Sequence, residues 1–420
     1  MRTFTVIWFG QLVSTIGSYM TDFVLTLWAW DATGSATSLA MMGFYSQMPR
    51  IPITLFAGLI VDRFNRKHLM LAGDSVAALV AIAIGWLYFA KCLSMWHLYG
   101  AVMLSGSFGQ IQSLAYETSL SGLVPPDKLT RANSMNSAVH YGAAIVAPAL
   151  AGLLHPHIGL LGILGLDLVS FGVAVATLLV RFIPQPSTAA GRNRDPLMAK
   201  LAFGFREVWR QPTLRALLLI STLFCFFHDM GGAIYEPMIL ARSTGCALVL
   251  ASTATAAGIG GVAGAILLSV WGGPSRKVNG MLAGFIGAGL SKTVFGMGVS
   301  PQVWVPAQFC SSLHFPLLGS SESAIWMTQI HPAQQGRVFA ANALVLQVVS
   351  AGAALIAGPL AERVLDPALL PSSPLANLLG GMAGTGPGAG MALLFVLAAL
   401  SMAGIGLGGY SLVSLKQLKS

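Results

Sequence analysis

Several carboxyl groups of this chain lie inside long apolar stretches, where their protonation can be functional. Five of them are surrounded by residues suited to a membrane interior: Asp22, Glu117, Asp229, Glu236 and Glu322. An ionisable side chain in a membrane span is costly unless it is paired or hydrated, so each is a functional candidate. A carboxyl group withdrawn from water can also exchange its proton near neutral pH. The pattern therefore indicates proton binding and release within a membrane.

Asp22 and Asp229 occupy comparable positions in the two halves of the chain, and they are the leading candidates for proton coupling. Glu236 is a third candidate, with a gate or a cap for an unwound turn as its alternatives. For Asp22 a structural role is also open, because Arg50 could neutralise it in a permanent ion pair between two spans. His228 could relay protons to its neighbour or could pack as a neutral side chain.

These acids are predicted to lie on membrane-spanning helices. Of the 420 residues, 55% are hydrophobic and 9% are charged, a balance that would expose far too much apolar surface in water. A helix needs about 20 apolar residues to cross the hydrocarbon core. Twelve stretches meet this need, near residues 4–30, 37–60, 69–90, 97–119, 132–154, 159–182, 213–241, 247–271, 278–299, 303–327, 338–361 and 390–413. We therefore predict an all-α integral membrane protein with twelve transmembrane helices.

A polar stretch divides these helices six and six. It predicts an N-terminal six-helix bundle over 1–182, a cytoplasmic linker over 183–212 and a C-terminal six-helix bundle over 213–420. Within the linker, residues 201–209 have the pattern of an amphipathic helix on the inner membrane surface, with a plain basic linker as the alternative. Residues 124–131 and 330–337 repeat each other weakly, which is typical of a carrier built from duplicated bundles.

The net charge of +9 could suggest nucleic acid as a partner, but the positions of the basic residues argue against it. Nearly all fall in loops or tails on one predicted side, and only Lys91, Arg242 and Arg363 fall on the other. By the positive-inside rule, both termini are cytoplasmic. We expect a multi-pass protein of the bacterial inner membrane, in contact with the lipid bilayer and without a nucleic-acid partner.

Motifs of the common enzyme classes are missing from the sequence. There is no phosphate-binding loop, nucleophile elbow or zinc-protease helix, and the four cysteines form no C-x-x-C pair. We therefore expect neither enzymatic activity nor a cofactor or metal. Three ionisable residues stay unassigned: His140 and Asp167 are expected to satisfy polar neighbours, and Lys292 to extend its amine outward.

A short charged loop separates the second and third predicted spans. Residues 58–67 read G-x-x-x-D-R-x-x-R-K, with Asp62, Arg63 and Arg66 at the charged positions. This loop resembles that of the major facilitator superfamily, in which a glycine lets two helix ends approach and basic residues stay cytoplasmic. Asn65 replaces the family's usual glycine, and we expect it to hold a tight turn because Asn tolerates left-handed backbone.

The charged loop and two acids predict a conformational latch on the cytoplasmic face. Glu117 and Glu322 lie at matching positions near the ends of the fourth and tenth spans. Glu117 would reach Arg63 or Arg66, and Glu322 would reach either of two arginines in the second half. Such ion pairs would form when the cavity opens outward and break when it opens inward. The residues assigned to the latch are Gly58, Asp62, Arg63, Arg66, Lys67, Glu117, Arg276, Glu322 and Arg337.

Most of the chain resembles the branch of this superfamily that includes macrolide-efflux and enterobactin-exporter-like proteins. The fifth span, with Gly142, Pro148 and Gly152, is similar to the antiporter motif of the exporters, where small residues and a proline allow close packing and a bend. Ala147 replaces a glycine that is usual in that motif. The resemblance also implies that spans 1, 4, 7 and 10 line the central cavity.

These features predict a monomeric secondary transporter whose partners are protons and a small organic substrate. Few fixed charges among many aromatic and Met residues favour a hydrophobic or amphipathic cargo, such as a drug, a siderophore or another secondary metabolite. We expect export by proton antiport with alternating access. Two alternatives remain open: proton-coupled or facilitated uptake of an organic solute, and a membrane scaffold or sensor that transports nothing.

Overall fold

The computed structural model describes residues 2–125, 128–180, 197–369, 379–381, 384 and 386–411. These residues are mainly helical, and none of them lies in a β-strand, so the all-α prediction is confirmed. The helices are α1 Arg2–Thr33, α2 Ala36–Gln47, α3 Arg50–Arg63, α4 Arg66–Phe89, α5 Met95–Leu123, α6 Leu129–Val180, α7 Leu197–Arg210, α8 Pro212–Arg242, α9 Ala247–Trp271, α10 Lys277–Met297, α11 Pro301–Leu313, α12 Phe315–Gln329, α13 Pro332–Leu360, α14 Asp366–Ala368 and α15 Ala389–Gly409, with a π-helical turn at Ala361–Leu365.

Seven described helical segments are each long and apolar enough to cross a membrane. They lie in α4, in α6, in α8 to α10, in the segment Gln334–Ala368 and in α15. The long helices α1 and α5 are not among them, because hydroxyl, amide and carboxyl side chains interrupt their apolar sequence. These two polar long helices of the first half are among those that line the cavity described below.

Four predicted spans differ from single straight helices. The second span is split into α2 and α3 at Pro49, and the tenth into α11 and α12 at His314, just before Pro316. Proline removes a backbone donor and collides with the preceding turn, which breaks a helix. The fifth and sixth spans run together in α6, with a break at Gly159, whose φ of 62° suits glycine.

The described chain forms two compact units, and the division into domains at 182 and 213 stays a prediction. Met1–Ala29 and Tyr45–Arg194 form one unit, and Trp30–Phe44 and Asp195–Ser420 form the other. In the first, α4 packs against α5 and α6, and α3 packs against α5. In the second, the most extensive helix contacts are those of α10 with α15 and of α9 with α11.

Small residues permit the close α9–α11 contact. A methyl group added at Gly260 or Gly264 would overlap the carbonyl oxygens of Phe309 and Leu313 respectively. Backbone-to-backbone packing of this kind is common in membranes, where apolar side chains gain little by leaving lipid. The glycines therefore hold the two helices together through van der Waals contact.

The predicted amphipathic helix of the linker is present as α7, which packs against α13 and α8. Val208 is buried, whereas Trp209 is exposed. A methyl group added at Gly204 would meet the carbonyl of Arg337, and the Arg337 guanidinium carbon lies 5.1 Å from the centroid of the Phe203 ring. The location of α7 on the membrane surface stays a prediction.

Candidate transport site

The first unit contains a cavity of about 420 Å³ lined by residues of α1 to α6. Its charged lining residues are Asp22, Arg50, Asp74 and Asp167, and its uncharged polar lining includes Gln11, Tyr19, Gln112 and Tyr116. Leu25, Val80 and Phe171 contribute apolar surface. A concave space that combines apolar walls with a few polar groups is typical of a small-molecule site.

Asp22, the first coupling candidate, lies on the wall of this cavity and is exposed. Arg50 lines the same cavity and interacts with Asp22 electrostatically. Among the described residues, however, no direct ion pair joins the two side chains. The permanent ion pair considered for Asp22 is therefore not formed in this structure, and its carboxylate is left accessible for exchange with a ligand or a proton.

Asp167 is held by hydrogen bonds within the first unit. Thr21 Oγ1 donates to Asp167 Oδ2 over 2.7 Å, and Ser170 Oγ lies 3.2 Å from Asp167 Oδ1. The side chain is buried, and both of its oxygens have partners. The expectation that Asp167 satisfies polar neighbours agrees with this geometry, which links α1 to α6. The structure does not describe the side chain of His140.

Asp74 is a cavity residue that sequence reasoning missed. It lies on α4, the third predicted span, and only 1% of its surface is exposed. Gln112 Nε2 donates to Asp74 Oδ1 over 2.7 Å. Its place in the apolar stretch 69–90 marks it as an acid within a span, but the family resemblance implied a cavity lined by spans 1, 4, 7 and 10. In the first unit, α4 also lines the cavity.

Asp229, the second coupling candidate, belongs to a polar cluster on α8 in the other unit. His228 Nδ1 lies 3.0 Å from Asp229 Oδ1, and Cys225 Sγ donates to Asp229 Oδ2 over 3.1 Å. The three side chains are half-buried. The neighbouring histidine therefore does contact the acid directly, which is the geometry that a proton relay would need. The His228 ring also packs against Phe224 and Phe315, so the packed neutral histidine and the relay both stay predictions.

The expectation for Lys292 is wrong, because its amine does not extend outward. The residue is buried, with 8% of its surface exposed, and lies on α10. Lys292 Nζ lies 5.9 Å from the centroid of the Phe315 ring and 5.6 Å from that of Phe395. The aromatic faces stabilise the buried amine by cation–π interaction. Its charge acts on Asp229 and His228, so Lys292 completes the polar cluster of the second unit.

Glu236, the third coupling candidate, is half-buried on α8 just before the buried Pro237. The adjacent Tyr235 hydroxyl lies 2.6 Å from Thr253 Oγ1, a contact between α8 and α9. The aromatic residues of the second half serve mainly as core. Phe224 and Trp326 belong to one buried apolar cluster, whereas Tyr116 lines the cavity of the first unit.

The charged loop 58–67 joins α3 to α4, but the surroundings of Gly58 and the Asp62 side chain lie outside the described residues. Asn65 has φ −64° and ψ 120°, so the left-handed turn expected there is wrong. Its Oδ1 accepts a hydrogen bond from the Lys67 backbone N–H over 2.9 Å. Asn65 therefore fits this position because its side chain caps the N-terminus of α4, a role for which asparagine is favoured.

The basic residues of the loop bind helix ends within the first unit. Arg66 Nη1 donates to the Thr118 carbonyl over 2.7 Å, and Lys67 Nζ donates to the Leu179 carbonyl over 3.1 Å. Cations at the C-terminal ends of helices offset the negative end of the helix dipole. These contacts tie the start of α4 to the ends of α5 and α6.

The ion pairs predicted for the latch are not present among the described residues in this structure. Glu117 is exposed, and Ser113 Oγ donates to it over 3.4 Å in place of Arg63 or Arg66. Glu322 is half-buried on α12 and forms no ion pair with the exposed Arg276 or with Arg337. The latch was predicted for a particular state of the transport cycle, and it stays a prediction.

The small-residue motif of the fifth span lies in α6. Pro148 and Gly152 are buried, but a methyl group added at Gly142 would meet no described atom within 4 Å. Close packing at Gly142 is therefore absent from the described structure. The role of this motif in export stays a prediction.

Comparison with known proteins decides the family. The model of the Major Facilitator Superfamily matches residues 7–354, which is most of the chain. The chain belongs to the major facilitator superfamily. The all-α, twelve-helix fold predicted from the sequence is thereby confirmed as the fold of this family, together with the resemblance found in the charged loop.

Two relatives of this family member are named as efflux proteins. Macrolide efflux protein A of Streptococcus pyogenes is 23% identical over 364 residues, which cover 86% of this chain and 90% of that protein. Multidrug efflux pump Tap of Mycobacterium tuberculosis (strain ATCC 25618 / H37Rv) is 25% identical over 224 residues, covering 51% of this chain and 53% of that protein. The branch predicted from the sequence is thus supported at low identity.

A solved structure supports the fold of this facilitator. The crystal structure of a bacterial homologue of the iron transporter ferroportin in its inward-facing state matches with a TM-score of 0.68. The match covers 98% of this chain and 99% of that chain, at 15% identity. Such a likeness shows the fold alone.

Proposed function

We propose that this facilitator is a secondary active transporter that exports a hydrophobic or amphipathic organic compound in exchange for protons. The observation that carries the proposal is the cavity of about 420 Å³ in the first unit, where apolar walls meet an accessible carboxylate. An organic molecule would occupy the apolar part. A proton on the carboxylate would then compete with the molecule for the same space.

Coupling requires a carboxyl group that cannot keep its proton while the substrate is bound. Asp22 fits this role because it faces the cavity and has no direct ion pair with Arg50 among the described residues. Asp229 fits it in the second unit, where His228 could take up or supply the proton at Oδ1. Alternating access would expose these groups to one side of the membrane at a time.

The direction of transport rests on the relatives. Two proteins that match this chain carry the names macrolide efflux protein and multidrug efflux pump, which favours export and a large, mainly apolar cargo. A macrolide is therefore the first substrate to test. Proton-coupled uptake stays the second candidate, because the same acids would serve a symporter.

The charge distribution supports the proposed membrane and orientation of the transporter. Basic residues on one predicted side favour a bacterial inner-membrane protein with both termini in the cytoplasm. We propose that it works as a monomer, without a cofactor and without an enzymatic step.

The test is proton-driven flux in proteoliposomes that contain the purified full-length protein and a trapped pH indicator. Addition of the macrolide erythromycin outside should release protons from the lumen if transport is antiport, and an imposed acid lumen should drive accumulation. Proton entry together with the macrolide would show symport and overturn the export mechanism. Liposomes without protein, and a Phe9→Leu variant altered at an exposed apolar position of α1, serve as controls.

A further inference from the structure

Asp74 is a buried carboxylate with one unused oxygen. Gln112 Nε2 binds Oδ1, but Asp74 Oδ2 has no hydrogen-bond partner among the described residues, although the side chain is 99% buried. Buried charges are normally paired and hydrogen-bonded, because an isolated one is costly to remove from water. A carboxylate in this condition at a cavity wall is suited to receive a partner.

Two further polar groups on the same cavity wall are also unsatisfied. Gln11 Nε2 and the Tyr116 hydroxyl are buried without a hydrogen-bond partner in the described structure. Gln112 Nε2 lies 3.4 Å from Gln11 Oε1, which is long for a hydrogen bond. Gln112 and Gln11 thus both act on Asp74, but only Gln112 forms a hydrogen bond of ordinary geometry, and Asp74 Oδ2 receives none.

The charge balance of the cavity points to a positive ligand. Three carboxyl groups, of Asp22, Asp74 and Asp167, face one guanidinium among the described lining residues. Arg50 acts electrostatically on Asp22 and on Tyr19, whereas the groups that act on Asp74 are Gln112 and Gln11. Asp167 has both oxygens occupied by hydroxyl groups, whereas Asp74 does not.

We propose that Asp74 receives the cationic group of an amphipathic organic cation in the cavity of the first unit. The positive group lies against Asp74 Oδ2, the Tyr116 ring adds attraction for the cation, and the apolar body lies along Val80 and Phe171. This inference rests on the proposed function, because the cation is the class of cargo that the transporter carries. Asp74 then makes the cavity bind cationic molecules in preference to neutral ones.

Binding of a matched pair of fluorescent probes tests this role. The cation is 1-(4-trimethylammoniumphenyl)-6-phenyl-1,3,5-hexatriene, and the neutral counterpart is 1,6-diphenyl-1,3,5-hexatriene. Both are titrated against the full-length protein in lipid nanodiscs, with empty nanodiscs subtracted. The wild type should prefer the cation, and Asp74→Asn should weaken cation binding about tenfold while leaving the neutral probe unchanged.

Asp31→Asn is the matched control, because it removes an exposed carboxylate of α1 that does not line this cavity. It should retain the preference for the cation, and Asp74→Glu should retain it in part. A wild type without preference, or an Asp74→Asn variant that keeps it, would overturn the proposal.

A second measurement needs no variant and so does not depend on folding of a mutant. Dicyclohexylcarbodiimide labels buried carboxyl groups, and mass spectrometry of the wild type reports the labelled fraction of Asp74. The cationic probe should protect Asp74, and the neutral probe should not. Equal labelling with both probes overturns the assignment of Asp74.

The two proposals fail in different ways. Charge-selective, Asp74-dependent binding without proton-driven flux would sustain the subsite and reject the proposed function. Proton-driven export of the neutral probe with no role for Asp74 would sustain the proposed function and reject the subsite.

Discussion

Gln112 donates a hydrogen bond from Nε2 to Asp74 Oδ1 over 2.7 Å, which joins α5 to α4 inside the first unit. A methyl group added at Gly73 would lie 2.5 Å from Gln112 Oε1, so the absence of a side chain there leaves room for the glutamine. The contact between Gln112 and Asp74 therefore depends on the close packing of α4 and α5 as well as on charge.

Removal of Gln112 should destabilise the transporter. Gln112→Leu leaves Asp74 without its donor, which should lower the free energy of unfolding by about 1–3 kcal/mol. Thermal unfolding in detergent measures the effect. Gln110→Leu is the control, because its contact with Thr54 Oγ1 is a long 3.4 Å and should matter less. The double change Asp74→Leu/Gln112→Leu should recover much of the loss, and equal midpoints for all variants would contradict the prediction.

Asp22→Asn should abolish pH-driven substrate accumulation while sparing substrate binding and passive exchange. The reason is that Asn cannot exchange a proton, yet keeps the shape of the side chain. Because Asp22 forms no direct ion pair with Arg50 in the described structure, stability should change little. If Asp22 instead only neutralised Arg50, Asp22→Asn would lower the free energy of unfolding by roughly 3–5 kcal/mol. The double change Asp22→Asn/Arg50→Gln would then recover much of that loss. Flux and melting of both variants decide between the two roles.

Asp229→Asn tests coupling in the second unit. The change removes the proton site at Oδ1 that His228 contacts, so proton-driven flux should be lost while exchange of substrate continues. Cys225→Ser keeps a donor to Asp229 Oδ2 and is the matched control. Full coupling in both Asp22→Asn and Asp229→Asn would exclude these acids and direct attention to Glu117, Glu236 and Glu322.

Asp62→Asn should leave folding intact, favour the inward-open state and strongly reduce transport. In the predicted latch, the negative charge of Asp62 helps to keep the cytoplasmic face closed. Its removal should therefore favour the inward-open state. The four native cysteines are first replaced, and single cysteines are then introduced on either face. Their labelling measures the relative populations of the inward-open and outward-open states. Asn65→Ser keeps an N-cap oxygen for α4 and should transport normally. Normal turnover and normal labelling in Asp62→Asn would remove Asp62 from the latch.

Reporter fusions should map the topology. Fusions after Lys67, after Gln185 and at Ser420 should be cytoplasmic, because the basic loops favour that side. A fusion in the loop 371–388, which is rich in Gly, Pro and Ser and has no Lys or Arg, should be outside. A cytoplasmic signal from that loop would contradict the twelve-span count.

The membrane environment, the all-α class and the family of this protein could all be predicted from the sequence. Long apolar stretches can satisfy their backbone groups in lipid as helices, so composition alone predicts the spans. The charged loop around Asp62 indicated the family because its glycine, acid and basic residues are local in sequence. Breaks at Pro49 and Gly159 change helix continuity without moving the spans.

Which polar groups meet depends on how the helices pack, and the sequence does not show this. Asp74 and Gln112 are 38 residues apart on different helices, and their contact depends on the rotation and tilt of both. Asp22 and Arg50 looked like partners in sequence but form no ion pair, while Lys292 lies buried between two aromatic rings. Apolar stretches locate a helix along the chain but do not specify which face turns inward, because lipid and protein core are nearly equally apolar solvents.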